Sequence, residues 1–156
     1  MLVTGMSGTG KSSVLAGLDR LGFSVIDTDE PGWTRWSEDE GGYVWQEDRI
    51  RELLEGADES EPALFVAGTV SNQGAFYSRF DEVVLLSAPA DVLLTRIAAR
   101  TSNPYGKTAE QRATILRDVM TVEPLLRRTC TLEVDATRPL SEIINQLAQL
   151  GRRAGQ

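Results

Sequence analysis

The chain has 156 residues, 41% of them hydrophobic and 25% charged, with 16 basic against 23 acidic side chains and a net charge of −7. That length and balance suit one globular domain with a real core and argue against a general nucleic-acid or membrane surface. A single cysteine, Cys130, rules out an internal disulfide, and with no apolar run long enough for a transmembrane span or signal peptide a cytoplasmic location is expected.

Met1-Leu2-Val3-Thr4 is short, apolar and partly β-branched and predicts a first strand, clipped by the start of the chain. It leads into Gly5-Met6-Ser7-Gly8-Thr9-Gly10-Lys11-Ser12, which satisfies GxxxxGK[ST]. In such a loop the backbone N–H groups cradle phosphate oxygens, the lysine reaches the β- and γ-phosphates and the hydroxyl meets Mg²⁺. The candidate nucleotide cradle is therefore Gly5, Ser7, Gly8, Thr9, Gly10, Lys11, Ser12 and Ser13, with Ser12 a candidate metal ligand. A helix follows, with Val14, Leu15, Leu18 and Leu21 expected on one stripe, and its N-terminus adds positive potential.

Phe23-Ser24-Val25-Ile26 predicts a second strand ending at Asp27. Residues 30–42, rich in tryptophan and glycine, predict a loop with a short helix, and 43–54 a helix carrying Val44, Ile50, Leu53 and Leu54. A charged turn is expected over 55–62. Ala63-Leu64-Phe65-Val66-Ala67 is continuously apolar, as a strand buried on both faces requires, and it ends at Gly68. A short helix is expected over 73–80, a buried strand at Val83-Val84-Leu85-Leu86, and a helix over 90–100 with Pro89 at its start. Asn103, Pro104 and Gly106 make 101–108 a loop. Residues 109–128 read as a helix broken near Pro124. A last strand covers 131–134 and a last helix 139–150, with Cys130 a buried small residue beside that strand.

Five strands, each followed by helical material, predict a parallel sheet with helices on both faces. Ligands of such sheets bind beyond the carboxyl ends of the strands, where the glycine loop, Asp27, Gly68 and Ser87-Ala88 all fall. There is no histidine, so a general base must be a carboxylate or water. Lysine occurs only at Lys11 and Lys107.

A GTPase would carry an Asn-Lys-x-Asp guanine reader, which is missing, and a motor or AAA-type ATPase an apolar strand ending in Asp-Glu. Strand 63–67 runs instead into Gly68, and strand 83–86 into Ser87-Ala88-Pro89. Phe23-Ser24-Val25-Ile26-Asp27-Thr28-Asp29 resembles the strand-2 Asp-x-Asp of shikimate kinase. Thr95-Arg96-Ile97-Ala98-Ala99-Arg100 resembles the Arg-x-x-x-Arg before the lid of adenylate kinase, and Asp135-Ala136-Thr137-Arg138-Pro139-Leu140 resembles that superfamily's adenine loop. In motif order the resemblance to the adenylate kinase and shikimate kinase superfamily spans the whole chain. It implies a single P-loop domain over 1–156: a three-layer α/β/α sandwich on a five-stranded parallel sheet of order 2-3-1-4-5. It also implies an acceptor-binding lid region at 28–58 and a short ATP lid at 101–109. ATP and Mg²⁺ are the implied cofactors. Arg96 would stack on adenine and Arg100 reach the phosphates, with Lys107, Arg138 and Pro139 also on the nucleotide. Asp27 would hold the metal and Asp29 act on the substrate. Lys11, Asp29 and Arg100 are thus the candidate catalytic residues.

On the acceptor side the family patterns stop. Gly68-Thr69-Val70-Ser71-Asn72-Gln73 replaces the Gly-Phe-Pro-Arg of adenylate kinases, and the Gly-Gly pair of shikimate kinases is reduced to Gly68. Trp33, Trp36, Tyr43 and Trp45, with Arg49, lie in the acceptor segment and suit a ring or sugar by stacking. Asp29, Trp33, Trp36, Tyr43, Arg49, Gly68, Asn72 and Gln73 are the candidate acceptor residues. The leading expectation is a kinase for a small hydroxylated metabolite or antibiotic-like molecule, as monomer or homodimer. A divergent nucleoside or nucleoside monophosphate kinase and a non-catalytic nucleotide-binding module are the alternatives. A polynucleotide kinase is disfavoured by the acidic charge.

Overall fold

The computed structural model of the protein describes residues 1–57 and 62–154. In chain order it contains β1 (Leu2–Thr4), α1 (Lys11–Arg20), β2 (Ser24–Asp27), β3 (Thr34–Ser37), β4 (Gly42–Trp45), α2 (Glu47–Glu55), β5 (Leu64–Ala67), a 3₁₀ turn (Gln73–Arg79), β6 (Val83–Ser87), α3 (Ala90–Ala99), α4 (Ala109–Thr121), α5 (Glu123–Thr129), β7 (Leu132–Asp135) and α6 (Leu140–Ala154). Half of the charged turn expected over 55–62 lies outside the described residues, as does the last residue of the 28–58 segment.

The main sheet runs β2-β5-β1-β6-β7, every pair parallel. Counting only its five strands in chain order, this is the expected 2-3-1-4-5. The two extra strand labels belong to a separate antiparallel hairpin, β3-β4. Successive residues of a strand point to opposite faces, and the core divides accordingly. Val3, Phe65 and Ala67 join one cluster with Val14, Leu18, Ile143 and Leu147 of α1 and α6. Leu2 and Val66 join the other with Trp45, Ile50 and Phe76. Burial on both faces is why these central strands are unbroken apolar runs. Among the described residues no helix is long and apolar enough to cross a membrane.

Three expectations need correction. The stretch 30–46 is not loop and helix but the β3-β4 hairpin, and α2 begins only at Glu47. Aromatic and β-branched residues there pair across strands, Trp36 with Tyr43 and Arg35 with Val44, and Gly41 at φ 62° helps close the turn. Leu21 leaves the buried stripe of α1: it is the C-cap residue and 47% exposed, whereas Gly17 is buried where α6 brings Ile144 close. Cys130 is half-buried, packed against both clusters. The expected break near Pro124 is present: α4 ends at Thr121, and Pro124 sits in the first turn of α5, where its missing N–H costs nothing.

Candidate active site

The loop between β1 and α1 wraps one end of a cavity of about 690 Å³ at the carboxyl edge of the sheet. Gly10, the N-cap of α1, has φ 94°, and Gly8 has φ 88°, conformations that favour glycine and aim the backbone around the cradle. Thr69, just past β5, pins the loop from outside. Its hydroxyl donates to Gly5 O (2.8 Å) and accepts from Gly5 N (3.1 Å), and it lies 3.0 Å from the Thr4 hydroxyl. The buried Thr9 hydroxyl donates to Met6 O at 2.9 Å, bracing the loop from within.

Lys11 folds its amine back over the loop and donates to Gly5 O (2.6 Å) and Met6 O (3.3 Å). Desolvation holds its pKa below the usual lysine range, with Arg100 pushing the same way and Asp29 and Asp27 opposing. Ser12 Oγ donates to Asp27 Oδ2 at 2.7 Å, and Asp27 Oδ1 accepts from Asp29 N at 3.0 Å. Asp27 therefore ties the start of α1 to the end of β2 and orients Asp29, whose residue lines the cavity while Asp27 itself stays off its wall. Asp29 keeps contact with solvent, yet protein crowds its carboxyl. Desolvation raises its pKa, Asp27 adds to the rise, and Lys11 opposes it.

A hard cation such as Mg²⁺ takes oxygen ligands, keeps several waters and is held by one or two carboxylates together with phosphate. The Ser12 hydroxyl and Asp27 carboxylate, within hydrogen-bonding distance at the phosphate end, fit that donor set. Among the described residues no group of three or more acidic, Cys or His side chains could cage a metal unaided.

Arg100 joins the loop after α3 to the glycine loop: Nη2 donates to Tyr105 O (2.7 Å) and Ser7 Oγ (3.3 Å). Its Nε is buried without a partner among the described residues, and desolvation lowers its pKa. A free, dehydrated donor facing a phosphate site is suited to an anion. Ser102, Asn103 and Tyr105, in the loop after α3, line the same cavity. At the far end Arg96 donates to Ala136 O (2.7 Å), beside Arg138, Leu140 and Ile143.

Several expected site residues do other work. Lys107 is not on the cavity wall; its amine donates to Ile97 O, Ala98 O and Arg100 O and caps α3. Pro139 stays off the wall, while its neighbours Arg138 and Leu140 line it. Asn72 holds the backbone of Trp45 through two bonds (2.9 and 3.1 Å), and buried Gln73 bonds Val70 N, the Thr4 hydroxyl and the Tyr77 hydroxyl. Gly68 makes room for the Thr28 hydroxyl, which would collide with a Cβ. Arg49 lies 4.7 Å over the Trp33 ring and donates to Gly32 O, so the two satisfy each other. Trp36 and Tyr43 remain open, 51% and 64% exposed, in an edge-to-face pair at 5.4 Å.

Two polar wall residues escaped the sequence. Thr69 carried a signal in lying directly after Gly68 at a strand end. Asp118 interrupts the inward-facing stripe of α4 between Ile115 and Val119.

A family model described as AAA domain matches residues 1–117. No curated protein matches the sequence. Among solved structures, a shikimate kinase from Acinetobacter baumannii in complex with shikimate superposes with TM-score 0.67 at 20% identity, covering 96% of this chain and 90% of that one. A gluconokinase from Sinorhizobium meliloti superposes with TM-score 0.55 at 25% identity, covering 97% and 93%. A sugar kinase from Janibacter sp. gives TM-score 0.57 at 20% identity, covering 95% and 91%. The fold is thus that of P-loop small-molecule kinases. The family label qualifies the exclusion of AAA-type proteins argued from sequence: membership holds, while β5 and β6 still lack the Asp-Glu strand end of a motor ATPase.

Proposed function

Since the chain belongs to the AAA-domain family and folds as a P-loop small-molecule kinase does, we propose that it is an ATP-dependent phosphotransferase, moving the γ-phosphoryl of Mg·ATP to a hydroxyl of a small metabolite. One observation carries the reading. Lys11, Ser12, Asp29 and Arg100, drawn from three separate segments, line a single cavity, with Asp27 bonded to Ser12 just behind its wall. Phosphoryl transfer needs little covalent chemistry from protein; it needs positioning and charge neutralisation. Lys11 and Arg100 flank the transferring group. Asp29, held by Asp27, accepts the proton of the attacking hydroxyl, and desolvation, by raising its pKa, makes it a stronger base than an ordinary aspartate. Ser12 and Asp27 would hold Mg²⁺, which would supply charge neutralisation on the phosphates.

The hairpin supports an acceptor with a ring or sugar face. Cross-strand pairing puts Trp36 and Tyr43 on the same face as Thr34 and Trp45, and Trp45 Nε1 donates to the Thr28 hydroxyl (2.9 Å), next to Asp29. The exposed aromatic pair therefore shares a hairpin face with the buried Trp45, which abuts Thr28 beside the candidate base, although none of the three lines the cavity. The test combines nucleotide binding with an acceptor screen. Mg·ATP binds to the wild type, Lys11→Ala removes that binding, and turnover with a polyol, sugar or aminosugar falls at least tenfold in Trp36→Ala. Triphosphate binding indifferent to Lys11→Ala overturns the reading.

A further inference from the structure

We infer that Lys107, which stays off the cavity wall, is the residue that positions Arg100 at the transferring phosphoryl group. The inference rests on the proposed reaction and concerns how one of its two cationic groups is held.

An α-helix leaves its last four carbonyls without intrahelical donors. In α3 the Arg100 N–H reaches Arg96 O at 3.0 Å. The carbonyls beyond it turn to Lys107, whose amine donates to Ile97 O (2.6 Å), Ala98 O (2.9 Å) and Arg100 O (2.7 Å). An ammonium has three donors and no acceptor, so one helix end fills its whole capacity. Its charge also sits at the negative end of the α3 dipole. Three carbonyls converging on one point suit a compact ammonium, whereas a guanidinium spreads its donors across a plane. This is a physical reason for lysine at 107 in a chain whose every other basic side chain outside the glycine loop is arginine.

The lysine is itself fixed. Its carbonyl accepts from Arg112 Nη1 of α4 (2.7 Å), and Gly106 N donates to Gln111 Oε1 (2.8 Å). Gly106 is buried where a Cβ would meet Ile97 and Ile115, so the chain passes tightly between α3 and α4. Thr108 and Gln111 then close a capping box on α4. The amine therefore ties the braced start of α4 to the end of α3.

The residue held by that tie is Arg100. It is the C-cap of α3, where the backbone turns extended, and one of the Lys107 bonds lands on its own carbonyl. Its guanidinium reaches the Ser7 hydroxyl and the carbonyl of Tyr105, two residues before Lys107, and its Nε has no partner among the described residues. Without the amine, three carbonyls at the end of α3 lose their donor. Arg100 then loses both its backbone anchor and the fixed Tyr105 carbonyl that aims it. Phosphoryl transfer depends on charge placed in advance, so a group that fixes Arg100 acts on the reaction without touching it.

The experiment needs no acceptor. Titration calorimetry measures dissociation constants of Mg·ATP and Mg·ADP for wild type, Arg100→Ala, Lys107→Met and the double variant, with thermal unfolding run on each. Arg100 faces the transferring group, which ADP lacks, so Arg100→Ala should weaken ATP about tenfold and ADP by no more than about threefold. Lys107→Met should reproduce that asymmetry, with ATP weakened at least about fivefold. The double variant should bind ATP within about twofold of Arg100→Ala alone, because a residue acting through another adds nothing once the other is gone. Equal losses for ATP and ADP, or losses that add in the double variant, mark a purely structural cap and overturn the inference. Should Lys107→Met not fold, Lys107→Gln, with two donors and a shorter reach, is read against the same outcomes. ATP affinity that responds to Arg100→Ala but not to the change at Lys107 sinks only this inference. If Arg100→Ala shifts neither nucleotide, the proposed function loses its second cation and the inference falls with it.

Discussion

Ser12 Oγ and Asp27 Oδ2 lie 2.7 Å apart, joining the first turn of α1 to the last residue of β2. Fifteen residues separate them in sequence, and the parallel sheet brings them together at its carboxyl edge, beside the glycine loop. The other oxygen of Asp27 holds the backbone N–H of Asp29, so one carboxylate orients both the metal-facing hydroxyl and the candidate base.

Asp27→Asn should therefore act on metal dependence first. Disrupting a group that orients a metal ligand typically costs 10–100-fold in metal affinity. Half-saturation by Mg²⁺, read from nucleotide-dependent turnover, is expected to rise by about that factor, with the unfolding temperature nearly unchanged. An unaltered Mg²⁺ titration removes Asp27 from the metal site.

Asp29 sets the acid limb of the rate. Desolvation holds its carboxyl above the usual aspartate range, so kcat/KM should climb with pH to a plateau reached later than an ordinary aspartate would give. Asp29→Asn should flatten that limb and lower kcat by roughly 10²–10⁴. The stability effect has the opposite sign. A carboxyl raised in the folded state binds its proton more tightly there than in the unfolded chain. Wild-type stability thus declines as pH rises through that ionisation, and the amide variant lacks the decline. Paired pH–rate and pH–melting curves on the two proteins check both.

Asn72→Ala separates support from recognition. The side chain carries both backbone groups of Trp45, which is fully buried. Leaving buried polar groups unpaired costs about 1–3 kcal/mol, so Tm should fall by several degrees while nucleotide affinity holds within twofold. A stable variant with changed nucleotide affinity would contradict the supporting role.

Arg127 bridges Glu123 and Glu133, both at 2.9 Å. The Glu123 side chain is only 8% exposed and its Oε2 already lacks a partner, so Arg127→Met strands a buried charge. Breaking a fully buried pair costs about 3–5 kcal/mol. Arg127 is half in water, which screens the pair, so a loss of about 2 kcal/mol is expected, or roughly 4–8 °C in Tm. Hydrogen bonds from Arg127 and then Ser87 hold Glu133 below the usual glutamate range. That contribution is present above the unfolded-state pKa and lost as pH falls through the folded one. Acid should therefore erode the wild type more steeply than the variant, as melting curves at neutral and acidic pH would show.

The phosphate loop and the parallel sheet were legible because their determinants are local. Gly5 to Ser12 is a contiguous backbone motif, and runs such as Ala63-Leu64-Phe65-Val66-Ala67 can be satisfied only by burial on two faces. Residues 30–46 misled because a hairpin is stabilised by cross-strand partners such as Trp36 and Tyr43, which a helical-period reading of 43–54 cannot register. The fate of each polar side chain was beyond local sequence for the same reason. Lys107 looks like a free lid cation until α3 presents three carbonyls to its amine, and Asn72 looks like a substrate reader until the Trp45 backbone is beside it. Chain order alone determined which strands form the parallel sheet and where the glycine loop falls. Only the tertiary structure decided which side chains are still free to meet a ligand, because hydrogen-bond partners compete through space and the winner is set by contacts between distant segments.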